Sequence, residues 1–378
     1  MRVKHTSARG SSSWRVLFVS DTAQLGGPSH SLLWLLAHLG PDHEPGVLVP
    51  EDGPLVARLE KLGVPCVKVP EMRAKAVLKI CQVIIRGRYA AVYGNDSSTC
   101  TRYALVAGTL LRKPVIWHIR GMKEHWGWRK GVFLRLADEV IAVSEACARS
   151  LSRFLSPASV HVIHNGVEAS DFNVDRTAAR GLVGRELGLS DSTRLIITVS
   201  HVIPRKGIEK AVEVFSKVSQ RFGDDVHLLI LGRVNTDPAY VEAVRRKIER
   251  GRLGQRVHLL GFRDDVIPFL AASDIFLHTA SRDPHPRAVL EAMAAGLPVV
   301  SFAVDGLVET VVDGQTGFLI PPGDVESMAE RLSLLLDSPP IAKRLGCEGQ
   351  LRVRKCFSAT STAKRVAEVI EQALKARE

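Results

Sequence analysis

The 378-residue sequence predicts an α/β protein of two doubly wound domains, each a parallel sheet with helices on both faces, the two facing across a cleft. Three observations predict it. The length exceeds what one hydrophobic core usually organises, so two domains are expected. Short aliphatic, β-branched runs recur along the chain, separated by amphipathic stretches of helical length, and such alternation builds parallel sheets. The succession loosens once, in a polar stretch rich in Asp, Arg and Gly at 168–191, and restarts at Leu195.

Residues 1–13 read as a basic, Ser-rich tail and 14–170 as the first domain. The run at 15–20 is its first strand, followed by the pair Gly26-Gly27 and a helical pattern at 31–39, giving strand, glycine loop, helix. Further strands are predicted at 46–49, 65–69, 90–93, 114–118, 139–143 and 160–163. Residues 171–191 read as a linker. The second domain, 192–357, repeats the scheme with strands at 195–199, 226–231, 257–260, 274–278, 299–302 and 318–320. From 324 onward the pattern is helical, punctuated by Pro339-Pro340, Gly346 and Gly349, and the last segment, 358–378, reads as a helix packing back on the first domain. In doubly wound sheets ligands bind beyond the carboxyl ends of the strands, so function belongs in the loops that follow them.

Hydrophobic residues make up 46% and charged residues 24%, which excludes a disordered or collagen-like chain. No apolar stretch approaches the roughly 20 residues that cross a bilayer, and the run at 16–19 is too short for a secretory signal. Six scattered cysteines form no Cys-x-x-Cys pair, which suits free thiols and a cytoplasmic protein without zinc or a disulfide framework. Residues 1–170 hold 22 Lys and Arg against 13 Asp and Glu, whereas 171–378 hold 29 against 27. The net charge of +11 therefore sits mainly in the first half and favours an anionic partner: nucleic acid, membrane surface or phosphorylated substrate. No nucleic-acid motif accompanies the basic residues, so nucleic acid is not expected.

The loop Leu25-Gly26-Gly27-Pro28-Ser29-His30 lacks the G-x-G-x-x-G spacing of dinucleotide enzymes, and no G-x-x-x-x-G-K-[ST] run marks a P-loop. The two glycines either admit a ligand to a helix N-terminus or make a plain turn. A denser block spans 281–300. Pro286 is placed to start a helix that Gly296-Leu297-Pro298 ends, so the amides of His285, Arg287 and Ala288 suit a phosphate, and Asp283 and Glu291 suit the hydroxyls of a polyhydroxylated ligand. Alternatively Asp283 caps the helix and Glu291 pairs with Arg287 at i,i+4. Arg205 and Lys206, in a strand-to-helix loop, suit a diphosphate or sit in a solvated turn.

Taken in order, Gly26-Gly27, the runs 140–145 and 162–168, Pro204-Arg205-Lys206-Gly207, the run 260–265, the block 283–298 and the run 313–323 resemble the retaining glycosyltransferases of family 4. The resemblance runs from about Trp14 to the C-terminus and implies the GT-B fold of two Rossmann-like domains. It implies a nucleotide-diphosphate sugar, UDP- or GDP-linked, held by the second domain, and a carbohydrate or lipid-linked acceptor held by the first. Lys206 and Arg205 would serve the departing diphosphate, and Lys206 matches the family pattern better. Glu291 would bind the ribose, Asp283 with Pro286 and the amides of His285, Arg287 and Ala288 the sugar and phosphate; Phe262 and Arg263 would edge the base, and Gly26 and Gly27 would close over the phosphates. Transfer would retain anomeric configuration and need no metal or other cofactor, in keeping with the absence of an Asp-x-Asp pair from the sequence. A nucleotide-sugar epimerase and a non-catalytic sugar-nucleotide-binding partner of another transferase are the alternatives.

The sequence departs from the family pattern at three places. Asp283 stands where Glu is usual. Ser200-His201 replaces the usual Gly-Arg, removing a phosphate cation for which Arg205 would compensate. Arg120 falls where the family carries a His near the reacting sugar, with His118 two residues earlier on the same strand face; a buried structural role is equally open for His118. Arg73, Lys75, Lys79, Arg86 and Arg88 border Val77, Leu78, Cys81, Ile84 and Ile85 at helical spacing, as in an interfacial helix on an anionic membrane or an ordinary core helix. The cluster of Trp117, Trp126 and Trp128 near His125 suits an acceptor sugar or a core. The implied role is assembly of cell-surface polysaccharide or glycolipid by a cytoplasmic enzyme, with peripheral attachment to the plasma membrane as an added expectation.

Overall fold

A computed structural model describes residues 14–70, 74–96, 99–122, 128–156 and 159–377. They divide into two compact units. One takes the chain up to Ala142, then Leu151–His161 and the residues from Ala363 on; the other takes Val143–Ser150 and Val162–Thr362.

The first sheet contains β1 (Trp14–Val19), β2 (His43–Val49), β3 (Cys66–Lys68), β4 (Ala91–Gly94), β5 (Val115–Ile119), β6 (Glu139–Ala142) and β7 (Val160–Val162), in the order β3-β2-β1-β4-β5-β6-β7. The second contains β8 (Arg194–Val199), β9 (Val226–Leu231), β10 (Val257–Gly261), β11 (Ile275–His278), β12 (Val299–Phe302) and β13 (Gly317–Ile320), in the order β10-β9-β8-β11-β12-β13. All thirteen strands fall on the predicted runs. The paired strands are parallel, and β4, β5, β9, β11 and β12 are buried along their whole length. Strands covered on both faces need continuous apolar runs, which is why the sequence displays them so openly.

In each sheet the strand order reverses once, between β1 and β4 and between β8 and β11. Neighbouring crossovers leave in opposite directions there, and the loops at the carboxyl ends part to leave room for a ligand. Behind the first reversal, Leu17, Leu48 and Val92 of the sheet pack against Ile80 and Ile84 of helix Ala74–Arg86 and Ala104 and Ala107 of helix Thr99–Leu110. Each such buried Leu or Ile contributes about 1.5–3 kcal/mol relative to exposure.

Two local expectations need correction. The supposed linker at 171–191 contains helix Arg176–Leu187, N-capped by Asp175, whose Oδ1 accepts from Thr177 N at 2.8 Å, and ended by Gly188 at φ 67°. It is polar because it buries only Ala179 and Val183 along its length, while Arg176 and Arg180 pair with Asp274 at 2.6 and 2.5 Å. Gly346 and Gly349 do not punctuate the C-terminal region; both lie inside helix Pro339–Cys356. A Cβ at Gly346 would come within 1.9 Å of the Gly296 carbonyl oxygen, so this glycine permits a close helix contact and breaks nothing. The last helix is Ala359–Lys375, and Arg377 beyond it pairs with Asp138 of the first unit at 2.6 Å.

All six cysteines are free thiols. Among the described residues no group of three or more His, Cys, Asp or Glu is placed to hold a metal ion, and no helix is long and apolar enough to cross a membrane.

Candidate active site

The second unit gathers most of the predicted residues at the reversal between β8 and β11. The turn Pro204–Lys206 follows β8, and Gly207 behind it has φ 64°. A Cβ on Gly207 would lie 2.1 Å from the Thr279 carbonyl oxygen, so only glycine lets this turn reach the end of β11. The reach delivers Lys206, whose Nζ donates to Asp283 Oδ2. The same oxygen lies 3.2 Å from His278 Nε2. Burial alone would raise the Asp283 carboxyl, but the Lys206 ammonium and the contact from His278 outweigh it and hold the group well below the usual carboxylate range. Burial lowers His278, so its imidazole is neutral at pH 7 and Nε2 serves as the donor. Both contacts fall on Oδ2, leaving Oδ1 without a protein partner among the described residues.

Asp283 is therefore the centre of a charged cluster and does not cap the following helix. Its loop is clamped from behind: Asp283 N donates to Asp305 Oδ2 at 2.9 Å, and Gly306 N to the Asp283 carbonyl at 3.2 Å. Asp305 has φ 41°, an uncommon conformation that Asp tolerates better than most residues, and a Cβ at Gly306 would meet Pro284 O at 1.8 Å. The helix begins at Arg287, with Pro286 as its N-cap residue, and runs to Ala294. Gly296, at φ 79°, stands just beyond the helix end, as the sequence implied. His285 is buried between the rings of His164 and Phe357, and its carbonyl accepts from Asn165 Nδ2 at 2.9 Å. Glu291 Oε1 accepts from Arg287 at 2.8 Å, which is the i,i+4 pair the sequence left open. Ala288, in the first turn, is half-buried.

Arg205 is exposed and donates to the Arg282 carbonyl at 2.9 Å, beside the cluster and outside it. Burial lowers the His201 imidazole, and the neighbouring charges of Lys206, Arg233 and Arg205 lower it further, so it adds no cation at pH 7. Phe262 is 42% exposed at the end of β10, beneath the Arg233 guanidinium. Arg263 does not join it. Its guanidinium lies 5.3 Å from the Phe269 ring centre and donates to Glu186, tying helix Arg176–Leu187 in place.

The first unit builds its own cluster around the reversal between β1 and β4. Gly26 is the N-cap residue of helix Gly27–Ala37, with extended backbone and Pro28 in the first turn. A Cβ at Gly26 or Gly27 would meet no atom within 4 Å, so neither packing nor a special φ requires these glycines, and their amides remain approachable. Asn95, after β4, donates through Nδ2 to Pro28 O at 3.1 Å and accepts from Arg120 Nε at 2.8 Å, linking the glycine loop to the residue after β5. His118 is 1% exposed, hydrogen-bonded through Nδ1 to the Tyr93 hydroxyl, and held far below its usual pKa by burial and then by Arg120. The structural reading of His118 therefore applies, and Arg120 is the group left near the surface. Trp117 is likewise core, donating Nε1–H to Asp96 O at 2.7 Å. His125 and Trp126 lie outside the described residues, as do Arg73 and the 1–13 tail, and the Trp128 side chain is not described.

Sequence reasoning missed His278, Asp305 and Asn95. A signal existed for two of them: His278 and Asn95 are polar residues at or just beyond the carboxyl ends of apolar strands next to a reversal, where ligand-facing groups collect.

Comparison with known proteins supplies an independent line. The Glycosyltransferase Family 4 profile matches residues 25–171, and the profile for glycosyl transferases group 1 matches residues 184–352. The trehalose synthase of Pyrococcus horikoshii is 35% identical over 187 residues, 48% of this chain and 44% of that protein. The capsular polysaccharide biosynthesis glycosyltransferase CapM of Staphylococcus aureus is 25% identical over 229 residues, 59% of this chain and 58% of that protein. The chain thus spans about half the length of the curated relatives it matches. The crystal structure of HepE from Anabaena in complex with UDP and glucose is similar with a TM-score of 0.86 at 22% identity, over 95% of this chain and 100% of that one. At that identity the likeness establishes the fold.

Proposed function

The chain belongs to the family 4, group 1 glycosyltransferases and has the GT-B fold, and from that premise we propose that it transfers a hexose-type sugar, with retention, from a nucleotide diphosphate to a carbohydrate or lipid-linked acceptor. One observation carries the donor site: Lys206, Asp283 and His278 converge at the β8/β11 reversal, beside a helix N-terminus. The bond from the anomeric carbon to the diphosphate breaks, the acceptor oxygen takes its place, and the acceptor proton leaves with the phosphate. Negative charge grows on the departing diphosphate, so the cations Lys206 and Arg205 and the amides of His285, Arg287 and Ala288 act where stabilisation lowers the barrier most. Asp283 accepts from sugar hydroxyls through Oδ1, and Glu291 from the ribose through the oxygen that Arg287 does not use. In this reading the protein cations do the work of a metal ion. The Anabaena relative crystallised with UDP and glucose supports a uridine donor, and CapM supports a role in cell-surface polysaccharide.

Calorimetric titration with UDP-, GDP- and ADP-sugars, with and without magnesium, tests the proposal. Binding that is selective, indifferent to magnesium and weakened by Lys206→Ala is expected. Failure of every sugar nucleotide to bind would remove it.

The membrane reading draws on helix Ala74–Arg86. Its inner face is core, through Ala76, Ile80 and Ile84, with Val77 and Cys81 half-buried, yet Leu78 and Ile85 are 69% and 61% exposed beside Lys75, Lys79, Arg86 and Arg88. Exposed aliphatics among cations suit an anionic lipid surface. Co-flotation with phosphatidylglycerol vesicles, lost in Leu78→Asp/Ile85→Asp, is expected; equal flotation of the variant would remove this reading.

A further inference from the structure

The second half of the chain is nearly neutral overall, yet its cations gather in one stretch. Residues 238–256 carry six Lys and Arg against two Asp and Glu, whereas 171–378 as a whole carry 29 against 27, so the rest of that half is net negative. The stretch opens with helix Pro238–Arg250, which packs against helix Ile208–Phe222. The Tyr240 hydroxyl accepts from Glu209 N at 3.2 Å, and Lys247 donates to Glu213 Oε2 at 2.8 Å, fastening the two helices to each other. The pair lines a groove of about 540 Å³ bounded by Glu209, Ala243, Arg246, Lys247 and Arg250. Positions 243, 246, 247 and 250 share one helix face, and the small Ala243 leaves room that a longer side chain would fill.

Of the three cations in the groove, Lys247 is committed to Glu213. Arg246 has one long contact, 3.4 Å to the Glu242 carbonyl, and neither Arg250 nor the Glu209 carboxylate has a hydrogen bond or ion pair among the described residues. Arg246 and Arg250 also stand at i,i+4, where like charges repel. We propose that this groove binds a small phosphate monoester bearing hydroxyl groups, a sugar phosphate by chemical class, at a site separate from the donor site. The phosphate sits between Arg246 and Arg250, whose planar guanidiniums grip its oxygens in pairs, and its charge cancels their repulsion. Glu209, an acceptor only, takes the hydroxyls and disfavours a ligand that is phosphate throughout. The groove falls within the roughly 300–1,000 Å³ common for small-molecule sites. None of its residues belongs to the Lys206–Asp283–His278 cluster, so the inference stands without the donor-site reading.

The test titrates the full chain with glucose 6-phosphate, with inorganic phosphate and with glucose, by calorimetry. It compares wild type with Arg246→Ala/Arg250→Ala, which removes the phosphate grip, and with Ala243→Leu, which fills the groove and keeps every charge. Circular dichroism checks that each variant folds, and either one alone decides the matter. Glucose 6-phosphate should bind more tightly than phosphate or glucose, and each variant should weaken it about tenfold or more. Glu209→Gln should narrow the preference for glucose 6-phosphate over inorganic phosphate. Absence of binding to wild type would overturn the inference. So would unchanged affinity in Ala243→Leu, because the ligand would then sit on exposed cations at large. Equal affinity for inorganic phosphate would overturn the assignment of a sugar phosphate. Displacement of glucose 6-phosphate by UDP, or its loss in Lys206→Ala, would place the phosphate in the donor site and overturn a separate one.

Discussion

Lys206→Ala separates what the charged cluster does for stability from what it does for a ligand. Asp283 is 4% exposed, and its Oδ2 is held by Lys206 and by neutral His278 at 3.2 Å. Removing the ammonium leaves a buried carboxylate with one neutral donor, and breaking a buried pair on one side costs about 3–5 kcal/mol. Asp283→Asn in the same chain removes the stranded charge, so the double variant should recover about 2 kcal/mol or more of that loss. Urea unfolding of wild type, both single variants and the double variant at pH 7.5 measures this cycle, with the slope checked for departure from two-state behaviour. The pH dependence has a defined sign. Without Lys206 the ammonium no longer opposes the upward push of burial, so the Asp283 carboxyl rises from where the wild type holds it, and the deficit of Lys206→Ala shrinks as pH falls below about 5 through the range in which the wild type loses its own carboxylate stabilisation. Donor binding should stay lost in the double variant even though stability returns. A Lys206→Ala loss below about 1 kcal/mol, or a double variant no more stable than Lys206→Ala, would refute the assignment of Asp283 as a charge held by Lys206.

Two further outcomes follow from the same geometry. Gly207→Ala imposes a left-handed φ on a residue with a Cβ, costing about 1–2 kcal/mol, and adds a collision with Thr279 O, so urea unfolding should show a loss of at least about 2 kcal/mol; a loss under about 1 would show that the turn relaxes freely. The imidazoles of buried His118, His278 and His227 and half-buried His258 are all lowered by desolvation, so the unfolded chain binds more protons as pH falls through about 6.5. Stability should therefore be complete above neutrality and decline toward pH 5, and His118→Gln should reduce the decline; a melting temperature unchanged between pH 7.5 and 5 would contradict this.

The sequence by itself determined the thirteen strands, because a strand buried on both faces needs an unbroken apolar run, and such a run is local information. It also determined which residue types the loops after β8 and β11 carry: Lys206, Asp283 and the helix that starts at Arg287 are read from residues a few positions apart. The helix at Arg176–Leu187 was illegible because an exposed helix that buries two residues has the composition of a loop. Only the tertiary structure decided partners. Lys206 and Asp283 are 77 residues apart, and their contact exists because β8 and β11 are neighbours and Gly207 allows the turn to approach β11. Likewise nothing in the order of residues shows that Arg263 turns to Glu186, that Arg233 covers Phe262, or that His118 is sealed beneath Tyr93. Side-chain type is written locally, but which charges meet depends on strand order and on where missing Cβ atoms let two backbones touch, and those are properties of the folded chain.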